Sequence, residues 1–142
     1  MISKSSNSNK NNISSEHYTS EMLAKFIDGS SIPSFVIDRQ HRVTHWNIAL
    51  EALSGLKKDF IQRTDGHWRA FYNEKRPTIA DLIADGATEK EMERFYGHKC
   101  KKSALIEGAY EVEDFFPEIG TSGKWLHVTA SPVKDNKKVW SS

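Results

Sequence analysis

The sequence predicts an α+β fold in which short helices pack on one face of an antiparallel β-sheet. Two strand-like segments come early in the chain, several short helical segments follow, and further strand-like segments come late. This grouping favours antiparallel pairing, because parallel sheets alternate strands with helices along the chain. The clearest element is the segment 32–47, in which two short apolar runs flank the polar tetrad Asp38–His41 and predict a β-hairpin.

Composition and charge are those of a small domain without a strong electrostatic preference. The 142 residues are 37% hydrophobic, which is enough for one core. The 20 basic and 19 acidic residues nearly cancel, so no overall field favours nucleic acid or an anionic membrane as a partner. No apolar run approaches the roughly 20 residues that cross a bilayer, and no signal peptide is recognisable, so we expect a cytoplasmic protein.

The N-terminal part divides into a leader and a helix. Ten of the first fifteen residues are Ser or Asn, and this composition predicts a disordered leader over residues 1–19, followed by one domain over residues 20–142. An amphipathic helix is expected over residues 20–28, with Gly29 able to end it. Its apolar face comprises Met22, Leu23, Phe26 and Ile27.

The hairpin leads directly into a second helix. Asn47 is a suitable N-cap, Ala49, Leu50 and Leu53 have helical spacing, and the helix is expected over Ile48–Ser54. The segment Thr64–Pro77 has no clean period but contains three aromatic residues. We expect it to be an irregular connection whose rings face inward.

Two capping boxes then predict two short helices. Thr78 is followed three residues later by Asp81, and Thr88 is followed three residues later by Glu91. In this arrangement the side chains of the two residues satisfy each other's backbone N–H groups at the first turn. Each helix is expected to bury one side.

The last part of the chain has strand character. Tyr110 and Val112 alternate with acidic residues. Along Lys124–Pro132 the side chains also alternate between two faces, one of which is apolar. Glycines and a proline between these segments predict a second hairpin with a long loop. Val139 and Trp140 could form a fifth strand close to the last residue of the sequence.

Taken together, these segments resemble a PAS domain, the sensor module of many bacterial and archaeal signalling proteins. The resemblance covers residues 22–140, and its later fragments resemble a PAS subgroup found in sensor histidine kinases and related signal transducers. The segments that carry it are Ile32–Asp38, Val43–Asn47, Trp68–Tyr72, Arg76–Leu82, Glu113–Pro117 and Gly123–Leu126.

The resemblance implies a five-stranded antiparallel sheet in the order 2-1-5-4-3 that cups a small cavity under the helices. The fifth strand belongs in the centre, yet only Lys137–Ser142 remain for it, so it would be abbreviated. Either the chain is part of a longer sensor or a partner supplies the missing pairing. We expect Val139 and Trp140 to pair with the first strand or with a second copy.

Aromatic residues are the most concentrated functional signal. They either line a pocket for a small apolar or planar ligand or fill the core, and core packing is the commoner role of such rings. The candidate pocket residues are Ile37, Trp46, Trp68, Phe71, Tyr72, Ile79, Leu82, Ile83, Phe115, Trp125 and His127.

The histidines give little support for haem or metal. Haem-binding PAS domains carry an axial histidine on the helix after the irregular segment, and the corresponding Thr78–Ala84 has none. His41, His67 and His98 are interpreted as turn or surface residues. His45 and His127 lie in strands, where a pair is more often hydrogen-bonded than metal-binding. No cofactor is identified.

Cys100 is the only cysteine, which excludes an internal disulfide and a multi-cysteine zinc site. The adjacent Lys99 and Lys101 would lower the pKa of its thiol and raise its reactivity. A lone cysteine in a solvated loop is the competing interpretation. The Asn-Cys-Arg motif of flavin-binding light-sensing PAS domains is absent from the sequence.

No nucleophile, base and orienting group occur in a recognisable arrangement, and no glycine-rich phosphate loop is present. The resemblance to PAS domains then implies a non-catalytic sensory module that binds a small ligand and acts on an output domain or a partner signalling protein. The alternative is a ligand-free interaction module. It would form a homodimer when the apolar face of the N-terminal helix packs on the outer sheet face.

Overall fold

The computed structural model describes residues 21–22, 24–133 and 138–141. The predicted disordered leader, residues 1–19, lies outside the described residues, as does Leu23 of the first helix. Among the described residues, no helix has both the length and the apolar character needed to cross a bilayer.

A single antiparallel sheet of six strands forms one side of the molecule, in the order β2-β1-β6-β5-β4-β3. All neighbouring strands run antiparallel. The strands are β1 Phe35–Asp38, β2 Val43–Trp46, β3 Cys100–Lys102, β4 Tyr110–Phe116, β5 Lys124–Pro132 and β6 Lys138–Ser141.

The expected sheet of five strands is corrected to six by the edge strand β3. This strand pairs with β4, with Cys100 opposite Val112 and Lys102 opposite Tyr110. Its three residues include two exposed lysines and show no apolar alternation, so its pairing could not be recognised from the sequence. Apart from β3, the strands lie in the order β2-β1-β6-β5-β4.

The short strand β6 occupies the centre of the sheet. Val139 lies opposite Ile37 of β1, and Trp140 lies opposite Val36. The other edge of β6 pairs with the end of β5. The prediction that Val139 and Trp140 pair with the first strand is confirmed, and these four residues join the β1–β2 hairpin to the rest of the sheet.

Short helices cover one face of the sheet. The helix α1 comprises residues 21–22 and 24–29, close to the expected 20–28. The predicted capping boxes are present at the starts of the fourth and fifth helices, with Asp81 and Glu91 accepting from the threonine caps. The remaining helices are α2 Ile48–Ser54, α3 Lys58–Ile61, a 3-10 helix Gly66–Ala70, α4 Ile79–Ala84 and α5 Glu89–Tyr96.

The core lies between the helices and the inner face of the sheet. On β4, Val112, Asp114 and Phe116 are buried while Glu113 and Phe115 are exposed, which defines the inner and outer faces. The largest buried side chains include Trp46, Phe35, Ile27, Ile37 and Leu50.

The buried side chain of Asn47 joins four segments of the chain. Its Oδ1 accepts from the N–H groups of Ser34 and Leu50, at 2.9 and 3.0 Å. Its Nδ2 donates to the carbonyls of Ile27 and Ile32, at 2.9 and 2.8 Å. The residue predicted as a helix cap therefore also holds the end of α1 and the approach to β1.

Replacing Asn47 with Ala should destabilise the fold far more than removing an ordinary cap. The change leaves the buried N–H of Ser34 without a partner and removes one hydrogen bond from each of three other backbone groups, so we expect the free energy of unfolding to fall by about 3 kcal/mol. Urea unfolding followed by circular dichroism measures this. The exposed Asn73 is the control, since Asn73→Ala should change stability by less than about 0.5 kcal/mol. Equal effects of the two substitutions would contradict the role assigned to Asn47.

Candidate functional site

Two adjoining apolar cavities lie between the sheet and the helices. The smaller has a volume of about 20 Å³ and the larger about 110 Å³. Both are bordered by Phe35, Phe71, Val128 and Ser141, so they share a wall. The smaller is also lined by Tyr72, Thr78, Ile79, Tyr96, Val112 and Phe116, and the larger by Ile32, Pro33, Leu50, Leu53, Leu126 and His127.

Aromatic contacts position the shared wall. Phe35 enters from β1, and its ring lies 5.9 Å from Phe71, the residue that follows the 3-10 helix. Phe71 in turn contacts Phe116 of β4 at 5.5 Å in an edge-to-face arrangement. Two of the three rings of the irregular segment, those of Phe71 and Tyr72, face inward as predicted, and Phe71 lies between the two cavities.

A pair of tyrosines belongs to the polar part of the smaller cavity's lining, together with Thr78 and Ser141. The hydroxyls of Tyr72 and Tyr96 lie 3.1 Å apart, and Tyr96 donates to the carbonyl of Pro77 at 3.3 Å. The guanidinium of Arg76 lies over both rings, 4.2 Å from the centre of Tyr72 and 4.9 Å from that of Tyr96. Burial raises the pKa of each tyrosine, so both hydroxyls are neutral at physiological pH.

The structure brings four of the predicted pocket residues to the cavities. Phe71, Tyr72 and Ile79 line the smaller one, and His127 borders the larger. His127 is an exposed residue whose Nε2 lies 3.0 Å from a carboxylate oxygen of Glu111.

Other predicted pocket residues belong to the packed core. Ile37, Trp46 and Leu82 are buried, and the indole N–H of Trp46 donates to the carbonyl of Leu56 at 3.0 Å. Ile83 is half-buried and packs against the same core. None of these four borders either of the two cavities.

The structure corrects the assignment of Phe115 and Trp125. These side chains lie on the outer face of the sheet, 39% and 70% exposed, with ring centres 5.8 Å apart. The two residues are opposite each other in the β4–β5 register. Their size suggested the pocket, but the alternation of β4 puts Asp114 and Phe116 inside instead.

Several lining residues were missed by sequence reasoning. Phe35 and Val128 border both cavities, and Tyr96 contributes a hydroxyl to the smaller one. Strand alternation could have identified Val128, since it shares a face with Leu126 and Ala130. The contribution of Tyr96 depends on how α5 packs, which no local pattern shows.

The predicted dimer face divides into exposed and buried residues. Met22 and Phe26 of α1 are 51% and 66% exposed, as an intermolecular contact requires. Ile27 is instead completely buried in this chain's own core. Leu23 lies outside the described residues.

A network of histidines and aspartates surrounds the start of α4. The Nε2 of His67 donates to both carboxylate oxygens of Asp81 at 2.9 Å, and His41 Nδ1 lies 2.6 Å from the same carboxylate. His41 Nε2 lies 2.6 Å from Asp85. His67 was interpreted as a turn or surface residue, and that interpretation is wrong, because it is 1% exposed.

The carboxylate of Asp81 joins three parts of the fold. Besides the two histidines, it accepts from the backbone N–H and the hydroxyl of Thr78, at 2.8 and 2.9 Å. The β1–β2 turn that carries His41, the 3-10 helix that carries His67 and the start of α4 all meet there. The sequence predicted only the capping role.

This network perturbs the titration of its members. Burial alone would raise the pKa of Asp81. The hydrogen bond and charge of His67, the hydrogen bond from the backbone N–H of Thr78 and the hydrogen bond from His41 outweigh this effect and lower the pKa to about 2. Burial alone would lower the pKa of His41, but its contacts with Asp85 and Asp81 outweigh this effect and raise it. The stability that His41 contributes is therefore present below pH 6.5 and is lost as the pH rises through the raised pKa.

His67 and Trp68 also border an open surface cleft next to the network. The cleft is lined by charged side chains of both signs, among them Lys75, Arg76 and Asp65. Trp68, predicted for the apolar pocket, is half-buried in this cleft instead. The Nδ1 of His67 has no hydrogen-bond partner among the described residues.

Cys100 does not have the predicted reactivity. It begins β3 and is half-buried, and desolvation raises the pKa of its thiol to about 11. Of the two adjacent lysines, Lys99 lies 2.9 Å from Asp114 instead. The thiol is therefore protonated near neutral pH. Within the described residues, no three His, Cys, Asp or Glu side chains are grouped so as to hold a metal ion.

No protein-family model and no curated protein sequence matches the chain. Among solved structures, its fold is similar to that of the PAS domain of BvgS from Bordetella pertussis. The TM-score is 0.55 and the sequence identity 16%, over 87% of this chain and 82% of that chain. The chain therefore has the PAS-like fold expected from its sequence motifs.

Replacing Asp81 with Asn should remove a pH-dependent part of the stability. A carboxyl whose pKa falls from 3.8 to about 2 on folding stabilises the protein above pH 3.8, and this contribution is lost as the pH falls towards 2. Between pH 3.8 and about 2, the free energy of unfolding of the wild type should therefore fall by about 2 kcal/mol more than that of Asp81→Asn. Urea unfolding at several pH values between about 2 and 5 measures the difference.

The control for this experiment is the exposed Asp59 of α3. Asp59→Asn should retain the acid-dependent loss of the wild type. If Asp81→Asn lost stability in acid as steeply as the wild type, the carboxylate would not have the role described.

Proposed function

We propose that this chain, which has a PAS-like fold, is a non-catalytic sensory module that binds a small molecule between its sheet and its helices. The observation that carries the proposal is the pair of adjoining apolar cavities around Phe35 and Phe71. Small-molecule sites are typically concave and mostly apolar, with few polar groups. The predicted pocket residues Phe71, Tyr72, Ile79 and His127 border this space.

A ligand there would act through Phe35. Its ring lies 5.4 Å from the ring of His67 and 5.7 Å from that of Trp46. His67 is bonded to Asp81, and Trp46 precedes Asn47, whose side chain holds the end of α1. A shift of Phe35 would therefore reach both α1 and the start of α4 through direct contacts.

The response would leave the domain through α1 or through β6. The strand β1, which carries Phe35, pairs along its length with β6. A ligand shifts the equilibrium between two arrangements of Phe35 and β1 only to the extent that it binds the two arrangements with different affinities. We propose that the receiver is an output domain or partner signalling protein, as in sensor histidine kinases of two-component systems, to which the sequence motifs are similar.

Filling the cavities should abolish ligand binding without unfolding the domain. Val128 borders both cavities, so Val128→Phe adds a ring to the shared space. Protein expressed in its native host should carry a small molecule in native mass spectrometry, and Val128→Phe should lack it. Overpacking should lower stability by about 1–3 kcal/mol, which circular dichroism and urea unfolding can measure.

The matched control adds the same ring outside the cavities. Val133 follows β5 and borders neither cavity, so Val133→Phe should retain the bound molecule. If folded wild-type protein carries no small molecule and gains none from host extracts, the sensory proposal fails.

A second candidate function is homodimerisation without a ligand. Met22 and Phe26 expose apolar surface on α1, and Phe115 and Trp125 expose an aromatic pair on the outer face of the sheet. Packing of α1 from one copy on that aromatic pair of another would bury both surfaces. Contiguous exposed apolar groups of this kind often mark interaction sites.

Replacing Phe26 with Ser should then shift the protein towards the monomer. Loss of a buried aromatic contact typically weakens an interface at least tenfold, which sedimentation equilibrium detects. Phe60 on α3 is also 61% exposed, and Phe60→Ser is the matched control that should leave the association constant unchanged. A wild type that is monomeric at all accessible concentrations would exclude this function.

A further inference from the structure

We infer that the ligand of the cavity pair is a small neutral molecule with one hydrogen-bond donor, a hydroxyl or an N–H group. The inference rests on the proposed sensory function and specifies the chemical class that this pocket accepts. Three properties of the lining lead to it: the absence of charge, the direction of the tyrosine hydrogen bonds, and the volume.

The lining favours an uncharged ligand. No Asp, Glu, Lys or Arg is among the described residues that border either cavity. His127 borders the larger cavity, and its Nε2 lies 3.0 Å from a carboxylate oxygen of Glu111. Arg76 lies over the rings of Tyr72 and Tyr96 and donates to the carbonyl of Phe95. An ion entering this space would lose its hydration without contacting a charged group of the lining, because the two tyrosine rings lie between the smaller cavity and Arg76.

The hydrogen bonds of the tyrosine pair favour a ligand that donates. The carbonyl of Pro77 can only accept, so the single hydroxyl proton of Tyr96 is directed at it. Either hydroxyl could donate across the 3.1 Å contact, but both contacts of Tyr96 are made only when the hydroxyl of Tyr72 donates to the oxygen of Tyr96. In that arrangement, none of the described residues donates to the oxygen of Tyr72. That oxygen is therefore an available acceptor in a residue that lines the cavity.

The volumes favour a ligand of about five or six non-hydrogen atoms. An engineered apolar cavity of about 150 Å³ holds benzene, which has six. The two adjoining cavities here have about 110 and 20 Å³. A compact alcohol, or a ring with a single N–H group, fits these limits.

Four probes with five non-hydrogen atoms each separate the alternatives. They are 1-butanol, its isomer diethyl ether, butylammonium and propionate. Binding is measured from methyl chemical shifts of Val112 and Val128, which line the cavities. We expect 1-butanol to bind about three- to tenfold more tightly than diethyl ether, the gain from one neutral hydrogen bond. Neither ion should shift these methyl signals at the same concentration.

Each contrary result overturns a defined part of the proposal. Equal affinity for diethyl ether would remove the donor requirement, and equal affinity for either ion would remove the requirement for neutrality. Xenon, which enters apolar cavities regardless of hydrogen bonding, tests the pocket itself. If xenon shifts the methyl signals but none of the four probes does, the ligand class is wrong and the pocket stands. If xenon also fails, the sensory function falls with the inference.

Replacing Tyr72 with Phe tests the acceptor directly. We expect Tyr72→Phe to bind 1-butanol and diethyl ether equally. Tyr110 is half-buried on β4 and borders neither cavity, so Tyr110→Phe is the matched control and should keep the preference for 1-butanol. A preference for 1-butanol that survives in Tyr72→Phe would exclude Tyr72 as the acceptor.

Discussion

The four hydrogen bonds of the Asn47 side chain are the constraint on which the rest of the structure depends. They join the end of α1, the approach to β1, the end of β2 and the first turn of α2 at one buried point. A carboxamide suits this point because it offers two donors and two acceptors in one plane. An aspartate would present an anion to two carbonyls. An apolar residue would leave the N–H of Ser34 unpaired and would remove one of the hydrogen bonds made by each of the other three backbone groups.

Asp81 has the corresponding role at the other end of the β1–β2 hairpin. Its carboxylate is bonded to His41 from the turn and to His67 from the 3-10 helix, while it caps α4. The hairpin is thus held at both ends by buried polar groups, and Phe35 lies between them against both His67 and Trp46. Apolar side chains fill the space between Asn47 and Asp81, and the two cavities lie where these side chains do not fill it completely.

Local chemistry in the sequence predicted the hairpin and the helix caps, and the resemblance to PAS domains implied the central position of the last strand. Each of these depends on neighbours within a few residues or on the fold's known strand order. The burial of His67 could not be predicted, because its partner Asp81 is brought to it only by the tertiary structure. Of the predicted pocket, Phe71, Tyr72 and Ile79 border a cavity, while Phe115 and Trp125 lie outside. The alternation of β4 includes the buried Asp114, which pairs with Lys99, so hydrophobicity alone gave the wrong face.

The central position of β6 also has a consequence for synthesis. Its partners in β1 lie about a hundred residues earlier in the chain. While the chain is being made, the first hairpin leaves the ribosome long before residues 138–141 are available to pair with it. Until then the inner edge of β1 is open, and the long-range pairing that closes the sheet comes last. Such non-local closure is slow and leaves an unpaired edge accessible to other chains, so it is the step at which a chaperone would have most effect.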